Sequence, residues 1–184
     1  VGHPKKQRKK YTTPLHPWEK DRMDAEDKLC RQYGLTSKRE IWKMESFLRN
    51  YRRQARRLLA ASGPQAEIES KQLLERLRRL GLIAEGGTLD DVLGLTIEHV
   101  LGRRLQTLVY KKGLARSPHQ ARQFISHGHI AVGERRVTVP SYLVSVAEEG
   151  LIDYAKGAPV KVEPKPTEAV AEAAPEPKAE EESG

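Results

Sequence analysis

Cysteine is almost absent: Cys30 is the only one in 184 residues. A disulfide within the chain is therefore impossible, and a multi-cysteine zinc site is excluded. Aromatic residues are scarce too, at 5%, with two Phe and two Trp. With 38% hydrophobic and 32% charged residues, the composition supports small cores rather than one large one. No apolar run approaches a membrane span, and the N-terminus is basic without a hydrophobic segment, so it does not read as a secretory signal. Cytoplasmic residence is the default expectation. Neither a Walker-type glycine loop nor a G-x-G-x-x-G stretch occurs. A hydrolase or transferase needs a nucleophile with an oriented base, or paired carboxylates in a pocket, and no such set stands out. His127-Gly128-His129 invites a metal, but no carboxylate or cysteine is spaced to complete the shell. No catalytic residue, metal, cofactor or small-molecule substrate is expected.

What the chain has in quantity is positive charge, unevenly placed around a net of +8. Residues 1–60 carry 17 Lys/Arg against 7 Asp/Glu, and residues 103–156 carry 9 against 4. Between them, residues 61–102 have 4 against 7, and residues 157–184 have 3 against 7. Two basic blocks thus flank a mildly acidic joint, and an acidic tail follows. A polyanionic partner explains this better than solubility does.

The second basic block holds the densest pattern. Arg103 to Lys112 reads as a helix with Leu105, Leu108 and Val109 on one side, closed by Lys111-Lys112-Gly113. A second helix opens at Ser117, with Pro118 in the first helical position and Gln120 completing a Ser-x-x-Gln capping box. Ala121, Phe124 and Ile125 form its apolar stripe, and His127-Gly128 ends it. The period then changes to that of a strand at Ile130 and Val132, turned by Gly133-Glu134 and returned by Arg135 to Val139. Tyr142 to Val146 and Leu151 to Tyr154 read as further strands. The expected core is Leu105, Leu108, Ala121, Phe124, Ile125, Ile130 and Val132. Crowded around the joint of the two helices are Arg103, Arg104, Lys111, Lys112, Arg116, Arg122, Arg135 and Arg136. With Ser117, Gln120, Gln123 and His127 they form the expected nucleic-acid-facing set, since cations and the free N–H groups of a helix start suit phosphate.

Ahead of this block, residues 1–17 lack periodicity and read as an extended basic arm. Lys5, Lys6, Arg8, Lys9 and Lys10 suit phosphates, and Tyr11 beside them suits a stacked base. Trp18 to Tyr33 reads as a helix burying Met23, Leu29 and Tyr33, ended by Gly34. Ser37 to Ala61 is the longest helix, opened by a Ser37-x-x-Glu40 capping box. Ile41, Met44, Leu48, Tyr51, Ala55, Leu58 and Leu59 line one side; Arg49, Arg52, Arg53, Arg56 and Arg57 fill the other. Such a helix could lie on a membrane or bind an acidic protein. Arginine in place of lysine points instead to bidentate phosphate contacts. Helices opening at Pro64, Thr88 and Thr96, the last running into Arg103, supply leucine for a small bundle. From Gly157 onward Pro, Ala, Glu and Lys dominate, and a disordered acidic tail is expected. The fold class is α+β: an arm (1–17), a mostly helical domain (18–102), a small domain of two helices packed on a short antiparallel sheet (103–156), and the tail (157–184).

The run R-R-L-Q-T-L-V-Y-K-x-G-L-A-x-S-x-x-x-A-R-x-x-I-x-x-G-H-I-x-V-G from Arg103, followed by V-x-x-P-S-Y, resembles a known RNA-binding domain. It is the domain named after small-subunit ribosomal protein S four. The likeness extends over about residues 2–155 and is nearest to the archaeal and eukaryotic branch of that family. The resemblance implies a structural constituent of the small ribosomal subunit and a primary binder of 16S-class ribosomal RNA. It implies a part in nucleating the subunit body, and in decoding accuracy close to where mRNA enters. The partners implied are small-subunit ribosomal RNA, neighbouring small-subunit ribosomal proteins and mRNA, with no membrane involved. Some bacterial members carry an N-terminal cysteine cluster for zinc; this chain does not, so no metal carries over. Two other readings stay open. Two helices across a short turn also resemble a DNA-binding helix-turn-helix, which would want a dimer interface and base-reading side chains. A stand-alone RNA-binding chaperone would share the domain without needing the N-terminal half.

Overall fold

The computed structural model describes residue 2 and residues 8–157. Lys5, Lys6 and the stretch 158–184 lie outside the described residues. The elements run α1 (Lys20–Tyr33), α2 (Lys38–Ala60), α3 (Pro64–Arg79), α4 (Leu89–Gly94), α5 (Ile97–Gly102), α6 (Leu105–Lys111), α7 (Pro118–Ser126), β1 (Ile130–Val132), β2 (Arg135–Arg136), α8 (Val146–Glu149) and β3 (Ile152–Tyr154). The strands form one antiparallel sheet in the order β2-β1-β3.

Helix α2 is the axis of the N-terminal half, and α1, α3, α4 and α5 all pack on it. Its apolar stripe buries Ile41, Leu48, Tyr51 and Ala55. Leu48, Tyr51 and Ala55 make one core with Leu73, Leu77, Val92, Leu95 and Val100, while Ile41 packs with Leu35 and Leu101. Leu59, expected inside, is exposed in the last turn of α2. A second core lies between α6, α7 and the sheet, and it contains all seven core residues read from the sequence. Phe124 is held edge-on by His129 and Tyr154, with ring centroids 6.0 and 6.5 Å away. On α1, Met23, Leu29 and Tyr33 are only half-buried, whereas Glu26 is buried. Its carboxylate takes bonds from Arg22 and from the Trp42 indole at 3.0 Å.

Several boundaries differ from the sequence reading. The helix from Thr96 does not run into the next one. It stops at Gly102, and α6 starts afresh after Arg104, whose backbone is extended at φ −72°, ψ 143°. The break lets residues 142–144 close against it: Leu105 N donates to Tyr142 O at 2.8 Å and Val144 N to Arg103 O at 3.1 Å. The segment 142–146, expected as a strand, therefore contributes only an isolated bridge between Leu143 and Arg104. The return strand is Arg135–Arg136 rather than 135–139, although Val137 N still donates to Ile130 O at 3.2 Å. Val146–Glu149 is a helical turn, set by a Ser145-x-x-Glu148 capping box overlooked in the sequence.

Candidate nucleic-acid interface

Gly34 ends α1 with φ 62°, and a Cβ there would lie 2.7 Å from the Cβ of Pro118. The α1–α2 turn thus presses on the start of α7, and the two halves of the chain meet here. Glu40, in the first turn of α2, bonds Arg104 and lies 3.0 Å from Nη2 of Arg122. It does not close a capping box; Ser37 Oγ instead accepts from Arg39 N at 3.3 Å. Burial pushes the Glu40 carboxyl up, but hydrogen bonds and charge from the two arginines outweigh this and hold it below the usual value. Arg104 is 1% exposed, and its Nε and Nη1 have no hydrogen-bond partner among the described residues. Gln106, buried beside it, has Nε2 2.9 Å from the carbonyls of both Gly34 and Pro118 and 3.2 Å from that of Tyr33.

This joint sorts the cations of the RNA-binding domain into two groups. Arg104 lies inside the protein, away from any phosphate. Arg122 is half-buried against Glu40. Arg103 donates to Glu149 Oε2 at 2.7 Å and to Val144 O at 3.2 Å. Lys112 is exposed, but its ammonium reaches the carbonyls of Glu149 and Ile152. Four cations read from the sequence as RNA-facing are thus engaged within the fold.

The rest face solvent together. Arg116, His119, Gln123 and His127 are all exposed. His119, Gln123 and His127, four residues apart, follow one side of α7 to its C-cap, and Arg116 lies just before its Ser117 N-cap. Ser117 caps that helix by accepting from Gln120 N at 3.2 Å, while Gln120 Oε1 reaches back to Arg116 N at 2.7 Å, one residue beyond a closed capping box. At the other end Gly128 has φ 75°, and a Cβ there would sit 3.0 Å from the Arg136 side chain. Arg136 therefore crosses the end of α7 beside His127. Arg135 lies 6.0 Å from the Tyr142 ring, whose hydroxyl donates to Glu148 at 2.8 Å. Lys111 is exposed at the end of α6. The result is an exposed polar strip bearing the cations Arg116 and Arg136 over a packed core. His119, which the sequence places on the polar side of this helix with Arg116, Gln120, Arg122 and Gln123, is exposed there as well.

On α2, Arg49, Arg53, Arg56 and Arg57 are exposed. Arg49 pairs with Glu45 at 3.2 Å and Arg53 bonds Asn50 at 3.2 Å, both on the surface where a phosphate can displace them. Arg52 turns inward to the carbonyl of Leu95. In the arm, Arg8, Lys9 and Lys10 are exposed, while Tyr11 packs 6.2 Å from the Trp42 ring. The described residues contain no group of His, Cys, Asp and Glu able to hold a metal ion, and no helix long and apolar enough to cross a membrane.

Two helices and a hairpin carrying such a strip define an RNA-binding domain of the S4 type. The family described as "S4 domain" matches residues 103–149, and that described as "Ribosomal protein S4/S9 N-terminal domain" matches residues 2–102. The small ribosomal subunit protein uS4 of Methanococcus maripaludis strain C7 is 53% identical over 175 residues, covering 94% of this chain and 98% of that protein. The protein of the same name from strain C5 is 51% identical over the same shares. The chain belongs to the small ribosomal subunit protein uS4 family.

Proposed function

We propose that the chain binds 16S-class ribosomal RNA directly and early, organises the body of the small subunit around it, and supports decoding accuracy close to where mRNA enters. As a uS4-family member it is a structural constituent of the cytoplasmic small ribosomal subunit and not an enzyme. The observation that carries the reading is the exposed line Arg116, His119, Gln123 and His127 with Arg136 across its end, backed by a packed core. Lys111, Arg135 and the Ser117–Gln120 cap border that line. The exposed arginines of α2 (Arg49, Arg53, Arg56 and Arg57) and the cations of the arm (Lys5, Lys6, Arg8, Lys9, Lys10) with Tyr11 give further contacts, so a folded RNA is held from several sides. Recognition rests on many phosphates and on RNA shape, with little base reading. In this reading 1–17 is the arm, 18–102 the helical domain, 103–156 the RNA-binding domain and 157–184 the tail. Neighbouring small-subunit proteins and mRNA are the further partners.

The test is binding of the full chain to small-subunit ribosomal RNA and to duplex DNA across a salt series. Tight RNA binding with a steep salt slope is expected. Arg116→Ala with Arg136→Ala should lower that slope by about 2, roughly one for each lost phosphate contact, without changing the melting curve. Equal affinity for duplex DNA would favour the helix-turn-helix reading instead.

A further inference from the structure

One exposed feature has no part in that RNA surface. Leu15 is 87% and Trp18 88% exposed, whereas the other exposed large hydrophobics reach at most 57%. The segment that carries them is tied down. Thr12 N donates to Ser46 Oγ at 2.9 Å, and Tyr11 rests near Trp42. Arg22 donates to the carbonyls of His16 at 3.1 Å and Pro17 at 2.9 Å. Arg22 is thus turned onto the backbone and onto Glu26, and the loop it holds points Leu15 and Trp18 outward. A tryptophan so exposed adds almost nothing to the fold, yet tryptophan is the side chain most often found at the energetic centre of an interface.

The charge around it selects the partner. Glu19, Asp21 and Asp24 follow Trp18 and are all exposed; of the two cations among them, Lys20 is exposed, and Arg22, held on the His16 and Pro17 carbonyls, pairs with Glu26 and lies 3.8 Å from Glu19. In a chain of net charge +8 this is a locally acidic collar. A base stacked on Trp18 would bring its phosphates within about a Debye length of those carboxylates. A protein surface with an apolar recess and a Lys/Arg rim meets no such penalty and gains electrostatic complementarity. We infer that Leu15 and Trp18 dock a neighbouring protein of the small ribosomal subunit that presents such a recess. The inference rests on the ribosomal reading above and names the surface and the chemistry of one partner.

The experiment places a photo-cross-linker at position 18, Trp18→p-benzoylphenylalanine in the full chain, and assembles it into small subunits depleted of their own uS4. Irradiation should join it to one subunit protein, next to a Lys/Arg-rich segment. Cross-links to ribosomal RNA alone, or none from a chain that sediments with the subunit, overturn the docking surface. A chain that fails to sediment with the subunit overturns the ribosomal reading, and the docking with it. A second variant guards against a local artefact: Leu15→Ala with Trp18→Ala should keep its melting midpoint and its affinity for naked ribosomal RNA. It should leave salt-washed subunits on the order of 10-fold faster. Equal weakening on naked RNA assigns the pair to RNA and overturns the proposal.

Discussion

Glu40 stands three residues after Ser37, a spacing that invites a local cap, but its carboxylate reaches across the chain to Arg104 and Arg122. A buried guanidinium left without its anion is strongly destabilising, so Glu40→Gln should cost about 3–5 kcal/mol in denaturant unfolding. Loss of less than about 1 kcal/mol would show that Arg104 finds water or another acceptor. The pH dependence follows from the depressed carboxyl. A group whose folded value lies below its unfolded value stabilises fully above the unfolded value, and that stabilisation fades as pH falls through the folded one. The wild-type chain should therefore lose stability on acidification from about pH 5 downward, and Glu40→Gln should lose less over the same window. Glu148, lowered by the Ser145 backbone N–H ahead of its other partners, acts in the same direction in both chains and cancels in the difference. The same joint separates the arginines by what their removal tests. Arg122→Ala removes a strut of the joint along with any RNA contact, whereas Arg116→Ala and Arg136→Ala test binding alone.

At the scale of elements, α7 shows how a short helix comes to present an exposed polar face. Nine residues are marginal alone. Pro118 and the Ser117 cap start the helix, and Ala121, Phe124 and Ile125 fasten it to α6 and the sheet. Phe124 is 7% exposed, so Phe124→Ala should cost about 3–5 kcal/mol by thermal melting. An unchanged curve would mean the ring is not packed. Periodicity made α2 and α7 legible, because each has a continuous apolar stripe. It failed for the segment after Pro140, where Val144 and Ile152 are buried but the residues between them form a capped helical turn. A strand pairing is settled by whatever lies alongside, and here Arg103 to Leu105 claimed the backbone of 142–144.

For the whole molecule, the joint of Glu40, Arg104, Arg122, Gln106 and Gly34 makes the α2 arginines and the α7 strip parts of one body. Hydrogen exchange offers a check. Amides of α2 and α7 should share one opening free energy in the wild-type chain and separate in Glu40→Gln; two values already in the wild type would show that the halves open independently. Much of this protein was legible before any coordinates. Charge blocks marked a polyanion partner, apolar periods placed the long helices and the second core, and one motif carried the family. Those signals are local or additive, so they survive in one dimension. Which arginines face solvent and which hold the protein together was not legible, nor was the outward Trp18 beside an inward Arg22. A guanidinium suits a phosphate and a carboxylate equally well, and the choice rests on which of them lies within about 3 Å. That proximity, as between residues 40 and 104, exists only once the chain has folded.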